Sequence, residues 1–348
     1  MRHHPDRRQL LGALGAIATF SVAPVAMGRG RSPLRVMLLG QSLIQQDLCA
    51  VGWPGRTAIA DRLRRADVVF TDLETAIDVP GIGTPTRSGE VLHAAPPEVI
   101  DCLRTLGVTM VTTANNHAWD LGTPGIMASI AELDRRAVVH AGSGADLASA
   151  AVPAIQSTPH GKFALVAAAA GAIREGAAAT AARPGVNELR RNSDGTLDSV
   201  DVERILAAIR SVSASGATVL MCLHNHYWEP RPADTPAWQR DFARACVDAG
   251  AGAFVGHGAP MMQPHELYRG APLFHGLGNF IFQTRKADGA YGAETWRSMI
   301  VDARFVEGRF IDAQLIPIIL DPAKAGEFTL GVPRFAPGTT TTLSIAGS

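Results

Sequence analysis

A single large α/β fold is predicted by three features of the sequence. Short apolar runs rich in Val, Leu, Ile and Phe alternate with helix-period segments from Leu34 onward, the pattern of βαβ construction. Polar residues of metal-binding type fall just after those runs, where the strand tips of open α/β sheets converge on ligands. No linker or repeat divides the chain, and its length beyond an N-terminal segment suits one large domain better than two small ones.

The chain opens with Asp6-Arg7-Arg8-Gln9-Leu10-Leu11 and an apolar stretch, Leu10 to Met27, broken only by small residues. Residues 1–31 read as an export signal, with Arg7-Arg8 suggesting the twin-arginine type; the alternative is an uncleaved membrane anchor. Twin-arginine export carries folded proteins, which suits a metal site assembled before export. Residues 32–348 are then expected to form one extracytoplasmic domain, periplasmic or anchored at the envelope. Without residues 1–31 the chain loses five arginines and one aspartate, so 32 basic and 32 acidic side chains become 27 and 31, a formal charge of −4. Such a protein is a poor candidate for binding nucleic acid. No second apolar run is long enough to cross a membrane. Cys49, Cys102, Cys222 and Cys246 lack CxxC spacing and sit among apolar neighbours. Buried free thiols are expected, with one disulfide left open in an oxidising compartment.

Taken in order, Arg35 to Leu39 reads as a strand ending at Gly40-Gln41-Ser42, and Asp61 to Ala66 closes a helix. Val68-Val69-Phe70 is a strand ending in Thr71-Asp72-Leu73-Glu74. Gly81 to Gly89 is a turn-rich loop, and Pro97 to Leu106 a helix closed by Gly107. The apolar run Val108, Met110, Val111 opens into TTANNHAWDLGTPG, Thr112 to Gly125, which places Asn116, His117 and Asp120 on a short loop ahead of the helix Ile126 to Arg136. Phe163 to Ala169 is a strand, and the alanine-rich segment after it reads as either a mobile flap or a small helix. Val200 to Ser213 is a helix. Thr218 to Leu223 is a strand ending in His224-Asn225-His226-Tyr227-Trp228-Glu229, and Ala253-Phe254-Val255 one ending in Gly256-His257-Gly258. The closer spacing of the last apolar runs suggests antiparallel pairs.

Any one of these histidines is readily a structural residue. Jointly, Asp72, Glu74, Asn116, His117, His224, His226 and His257 all follow an apolar strand within a few residues. Imidazole, carboxylate and amide oxygen without thiolate suit a borderline divalent ion such as Mn, Zn or Fe. An ion of this kind polarises a phosphoryl or carbonyl oxygen, so the pattern points to a metal-dependent hydrolase.

Thr71-Asp72-Leu73-Glu74, the Asn115-Asn116-His117-Ala118-Trp119-Asp120-Leu121-Gly122 run, His224 to Glu229, and the segment from Gly256 to Phe282 with its Gly278-Asn279-Phe280 together resemble the CapA family of poly-γ-glutamate capsule biosynthesis proteins, which is related to the calcineurin-like metallophosphoesterases. The likeness runs from about Val36 to Phe282. It implies a four-layer αββα sandwich with the metal site at the sheet edges. It makes Asn116 an amide ligand and His117 a transition-state stabiliser or proton donor oriented by Asp120. His224 or His226, with His257, become imidazole ligands, and Asp72 or Glu74 the carboxylate.

Two departures from the family pattern stand out. Gln41 occupies the place of an aspartate ligand, and Pro260 that of a second histidine after His257. Both would serve the same metal, so the resemblance implies one retained divalent ion and a second that is weakened or lost. His226, Glu229 and His265 are then candidates for acid–base work, whereas Glu266 reads as a strand residue with a structural partner. Arg183 is a candidate for holding a substrate carboxylate or phosphate. The implied function is hydrolysis or acyl transfer on an anionic, peptide-like envelope polymer. The other implied role is a non-catalytic protein that binds the polymer or a membrane synthase.

Overall fold

The computed structural model describes residues 32–228 and 231–345; residues 1–31, where an export signal is expected, and Glu229 lie outside the described residues. Two sheets carry the fold. In the nine-stranded sheet the order is Pro333–Phe335, Arg309–Leu320, Arg297–Val306, Leu34–Leu43, Val68–Leu73, Met110–Thr112 and Val139–Ala141, with Asn279–Phe282 added beside Leu34–Leu43 and Thr341–Ser344 beside Arg309–Leu320. In the six-stranded sheet the order is His265–Tyr268, Ala271–Phe274, Ala253–His257, Thr218–Asn225, Gly161–Ala170 and Ala154–Thr158.

Side-chain alternation sorts these strands into layers. Val36, Leu38, Val68, Phe70 and Met110 face Phe163, Leu165, Leu220, Cys222 and Val255, so the two sheets pack face to face on a shared core. The alternate residues Met37, Leu39, Val69 and Val111 turn outward onto Ile59 and Leu63 of the helix Arg56–Leu63 and onto Val99, Leu103 and Leu106 of the helix Glu98–Leu106. On the far side, Val166, Val219, Met221 and Leu223 meet Ile205 and Ile209 of Ser199–Ala214 and Phe242 and Cys246 of Ala237–Asp248. The result is the αββα sandwich. With both faces covered, the central strands read as continuous apolar runs. No helix among the described residues is long and apolar enough to cross a membrane.

Three sequence expectations change. The first strand runs on past Gly40 to Leu43, because at Gln41 it exchanges its antiparallel neighbour Arg297–Val306 for the parallel Asn279–Phe282. Gly40 permits the exchange: a Cβ there would lie 2.5 Å from the Gly278 carbonyl oxygen. The alanine-rich segment after Ala170 forms no helix. Its backbone is tied down by Ala179 N–H to Val186, Val186 N–H to Ala177 and Asn187 N–H to Gly142. Finally, Cys49 and Cys102 are not free thiols. They form a disulfide with Cα atoms 5.3 Å apart, joining the helix Leu48–Val51 to Glu98–Leu106. Spacing could not reveal it because the two cysteines meet only when the helices dock. Cys222 and Cys246 are buried free thiols, as expected.

Candidate metal centre

The carboxyl ends of the parallel strands from both sheets meet at one edge of the shared core. Asp72 lies in register with Gln41 and Thr112 in one sheet, and His224 with His257 and Ala169 in the other. Asp72 Oδ2 lies 2.7 Å from His224 Nδ1 and so joins the two sheets. Its other oxygen accepts from Asn115 Nδ2 at 3.0 Å. Burial pushes the Asp72 carboxyl up to about 7, opposed by the nearby His257 charge and the Asn115 hydrogen bond.

With Asp72 ionised, His224 donates from Nδ1, and its neutral ring turns a lone pair at Nε2 toward Asn116 Oδ1, 2.8 Å away. Burial keeps this ring neutral, drawing its pKa down to about 3. Two acceptors at that distance require a cation between them, or an Asn116 amide turned so that its N–H faces the ring. His226 lies one residue beyond the strand, and its ring stacks on His224 with centroids 4.9 Å apart, so both histidines serve the same face. Ligand atoms of Glu74, His224 and His226 all lie within 4.8 Å of one another. Glu74 Oε2 and His226 Nε2 are buried with no hydrogen-bond partner among the described residues. Burial, with the Asp72 and Asp120 charges, drives the Glu74 carboxyl well above its usual range. Orphaned, desolvated donors of this kind fit a divalent cation, which would satisfy both atoms and favour the ionised Glu74.

His257 takes a different place. Its Nε2 hydrogen-bonds the Leu39 carbonyl at 3.1 Å, Nδ1 stands 3.7 Å from Asp72 Oδ2, and the ring stacks on Phe70. It supports Asp72 from behind, while Asp72 orients His224, the part an outer carboxylate plays for a metal-binding imidazole. Gln41 spends its side-chain oxygen on the Gly258 N–H at 2.7 Å. Gly258 adopts φ +101°, and a Cβ there would lie 2.2 Å from the Asn225 carbonyl oxygen, so this closure is open only to glycine. Asn279 donates to the Pro260 and Thr295 carbonyls.

Beside the cluster, His117 Nδ1 hydrogen-bonds Asp120 Oδ2 at 2.9 Å. Burial holds the imidazole well below its ordinary pKa and raises Asp120 to about 6. Asp120 Oδ1 sits 2.7 Å from Arg87 Nε and 3.5 Å from Arg174 Nη2. The Arg87 contact is a close ion pair whose N–H points off the hydrogen-bond line, leaving both atoms without a hydrogen bond. Arg87 also donates to the Asn116 carbonyl at 2.8 Å, and Arg174 to the Thr86 carbonyl at 2.7 Å.

Arg183 is exposed, with its guanidinium on the Ala178 carbonyl, outside this network. His265 is exposed on an edge strand, and Glu266 pairs with Arg244 at 2.8 Å, the structural partner expected for it. Sequence reasoning passed over Arg87, Arg174 and His93, and gave Asn115, though part of the Asn115–Gly122 motif, no role. Arg87 and His93 lie in or just after a turn-rich loop, where only the folded chain shows what they reach.

A model of the family described as "Bacterial capsule synthesis protein PGA_cap" matches residues 37–284, well over half of the chain. The chain is 28% identical over 305 residues to the uncharacterized protein y4sH of Sinorhizobium fredii, covering 71% of this chain and 66% of that protein. It is 28% identical over 329 residues to a probable polyglutamine synthesis accessory protein of Mycobacterium tuberculosis, covering 90% and 79%. Against the PGA biosynthesis protein CapA of Bacillus subtilis the identity is 28% over 196 residues, 56% of this chain and 48% of that one. The chain thus spans about two thirds of the first relative and about half of the Bacillus protein.

Proposed function

Because the chain belongs to the bacterial capsule synthesis protein family PGA_cap, we propose that it is an exported, metal-dependent enzyme that makes or processes an anionic, peptide-like polymer of the cell envelope. The observation that carries the metal reading is the convergence of Glu74, His224 and His226, two of whose buried atoms lack partners. These three, with Asn116, would hold one divalent ion, of the Mn, Zn or Fe kind. When bound, such an ion supplies Lewis-acid polarisation of a substrate carbonyl or phosphoryl oxygen.

The chain's own residues divide the remaining work. Asp72 fixes the His224 tautomer from behind. Asp120 fixes that of His117, whose Nε2 is left for proton transfer to or from a substrate in hydrolysis or acyl transfer. Arg87 and Arg174 bring positive charge to the same wall, which suits an anionic substrate. The Cys49–Cys102 disulfide supports maturation in an oxidising compartment, in line with export.

A non-catalytic role, binding the polymer or a membrane synthase, is the second reading. It is favoured by Gln41, whose oxygen is spent on Gly258 at the position where the family resemblance implies an aspartate ligand, and by the accessory role in the name of the mycobacterial relative. Metal stoichiometry on protein purified from its native host tests the first reading. About one ion per chain is expected, lost in Glu74→Gln and in His226→Ala. No bound ion, with both variants folded and as stable as the parent, would leave the accessory reading standing.

A further inference from the structure

His93 stands beside His117 and is not among the groups assigned to the cation or to proton transfer. Its backbone is fixed at both polar groups: the N–H donates to Asp120 Oδ2 at 2.8 Å, and the carbonyl accepts from Ala76 N–H at 3.0 Å. Asp120 Oδ2 thus holds the His93 backbone and the His117 ring at once. The two imidazoles meet in a T-shaped contact with centroids 4.0 Å apart.

The tautomer of His93 follows from its other neighbour. Gln45 Nε2 lies 2.8 Å from the Gln283 carbonyl and 2.8 Å from His93 Nδ1. A carbonyl only accepts, so the atom facing it is the amide nitrogen and the orientation of Gln45 is set. The second hydrogen of that nitrogen then goes to His93 Nδ1, which must accept. His93 is therefore the neutral Nε2–H form, and burial agrees by drawing its pKa down to about 2. Nε2 has no hydrogen-bond partner among the described residues, and the residue keeps 7% of its surface exposed. His117, bound through Nδ1–H, offers a lone pair at Nε2. The neighbouring rings thus have opposite valence, one an acceptor and one a fixed neutral donor.

We propose that His93 donates a hydrogen bond from Nε2 to an oxygen of the ligand that occupies the site beside His117. This assignment rests on the metal reading, because the ligand oxygen it would meet is one drawn in by the cation. A neutral donor suits this position, since it holds an oxygen without adding a charge that would repel the cation. Gln45 is its positioning residue, because it dictates which nitrogen carries the hydrogen.

Inorganic phosphate serves as the oxyanion probe, titrated into manganese-loaded parent, His93→Phe and His93→Gln by calorimetry. Manganese binding is measured first, and its absence in the parent would sink the metal reading before any phosphate is added. With manganese bound, His93→Phe should weaken phosphate about tenfold, as loss of one hydrogen bond to a charged oxygen predicts, and His93→Gln should recover part of it. Equal phosphate affinity in His93→Phe and parent overturns the proposal, as does a loaded parent that binds no phosphate. A second readout needs neither metal nor ligand: in 15N-histidine two-bond correlation spectra of the parent, the imidazole missing from His93→Phe should be the Nε2–H tautomer. An Nδ1–H tautomer there, or unchanged spectra in Gln45→Ala, would overturn the tautomer argument even if His93→Phe folded poorly.

Discussion

At the scale of single residues, the edge of the two sheets is held together by buried titratable groups whose ordinary protonation states are disturbed. Asp120 is a clear case: burial raises it to about 6, even though the His93 N–H and Arg87 pull the other way. An acid whose folded pKa exceeds its unfolded value contributes stability at low pH and loses it as pH rises through the folded value. The metal-free parent should therefore lose up to about 3 kcal/mol relative to Asp120→Asn between pH 4 and pH 7. Urea melts of both proteins in chelator across that range check it, and a stability gap that does not move with pH would mean that Asp120 stays ionised throughout. His224 answers a question that its spacing left open. It and His226 are two apart, and their stacked rings place them on one face.

At the scale of elements, the turn-rich loop and the short helices do more than connect strands. The disulfide between Leu48–Val51 and Glu98–Leu106 pins two outer helices over a separation of 53 residues. Closing a loop of that length removes unfolded-chain entropy, so Cys49→Ser/Cys102→Ser should cost about 2–4 kcal/mol of stability. Denaturant melts with and without reductant test this: reductant should shift the parent toward the variant and leave the variant where it is. The loop ahead of His93 acts through Arg87, which bonds the Asn116 carbonyl and stands against Asp120. The sequence showed that loop as turns alone, because a guanidinium whose partners lie far along the chain leaves no local signature.

At the scale of the whole molecule, the centre lies where two independently patterned sheets meet, so a cation bound there ties one to the other. Ligand binding to the folded state alone stabilises it by mass action, by about 2.7 kcal/mol at a hundredfold excess over Kd. Saturating manganese should raise the unfolding midpoint of the parent, and chelator should reverse the shift. In Glu74→Gln the midpoint should not respond to manganese; an equal response in that variant would move the cation elsewhere.

What the sequence determined by itself was the central parallel strands, the polar residues at their tips and the family they belong to. Each of these is written in local periodicity or in contiguous motifs such as Asn115 to Gly122. Edge strands such as Ala154–Thr158, Pro333–Phe335 and Thr341–Ser344 it did not mark. The αββα layering was implied by the resemblance to that family, not by periodicity. Only the tertiary structure decided which tip residues share a face. Asp72 and His257 back the cluster while Glu74, His224 and His226 open onto it, and Gln41 turns its oxygen to Gly258. Arg87, Arg174 and His93 enter only through contacts between segments far apart in the chain. The physical reason is that strand alternation fixes the direction of a side chain relative to its own sheet. Where it ends up relative to a second sheet depends on how the two pack.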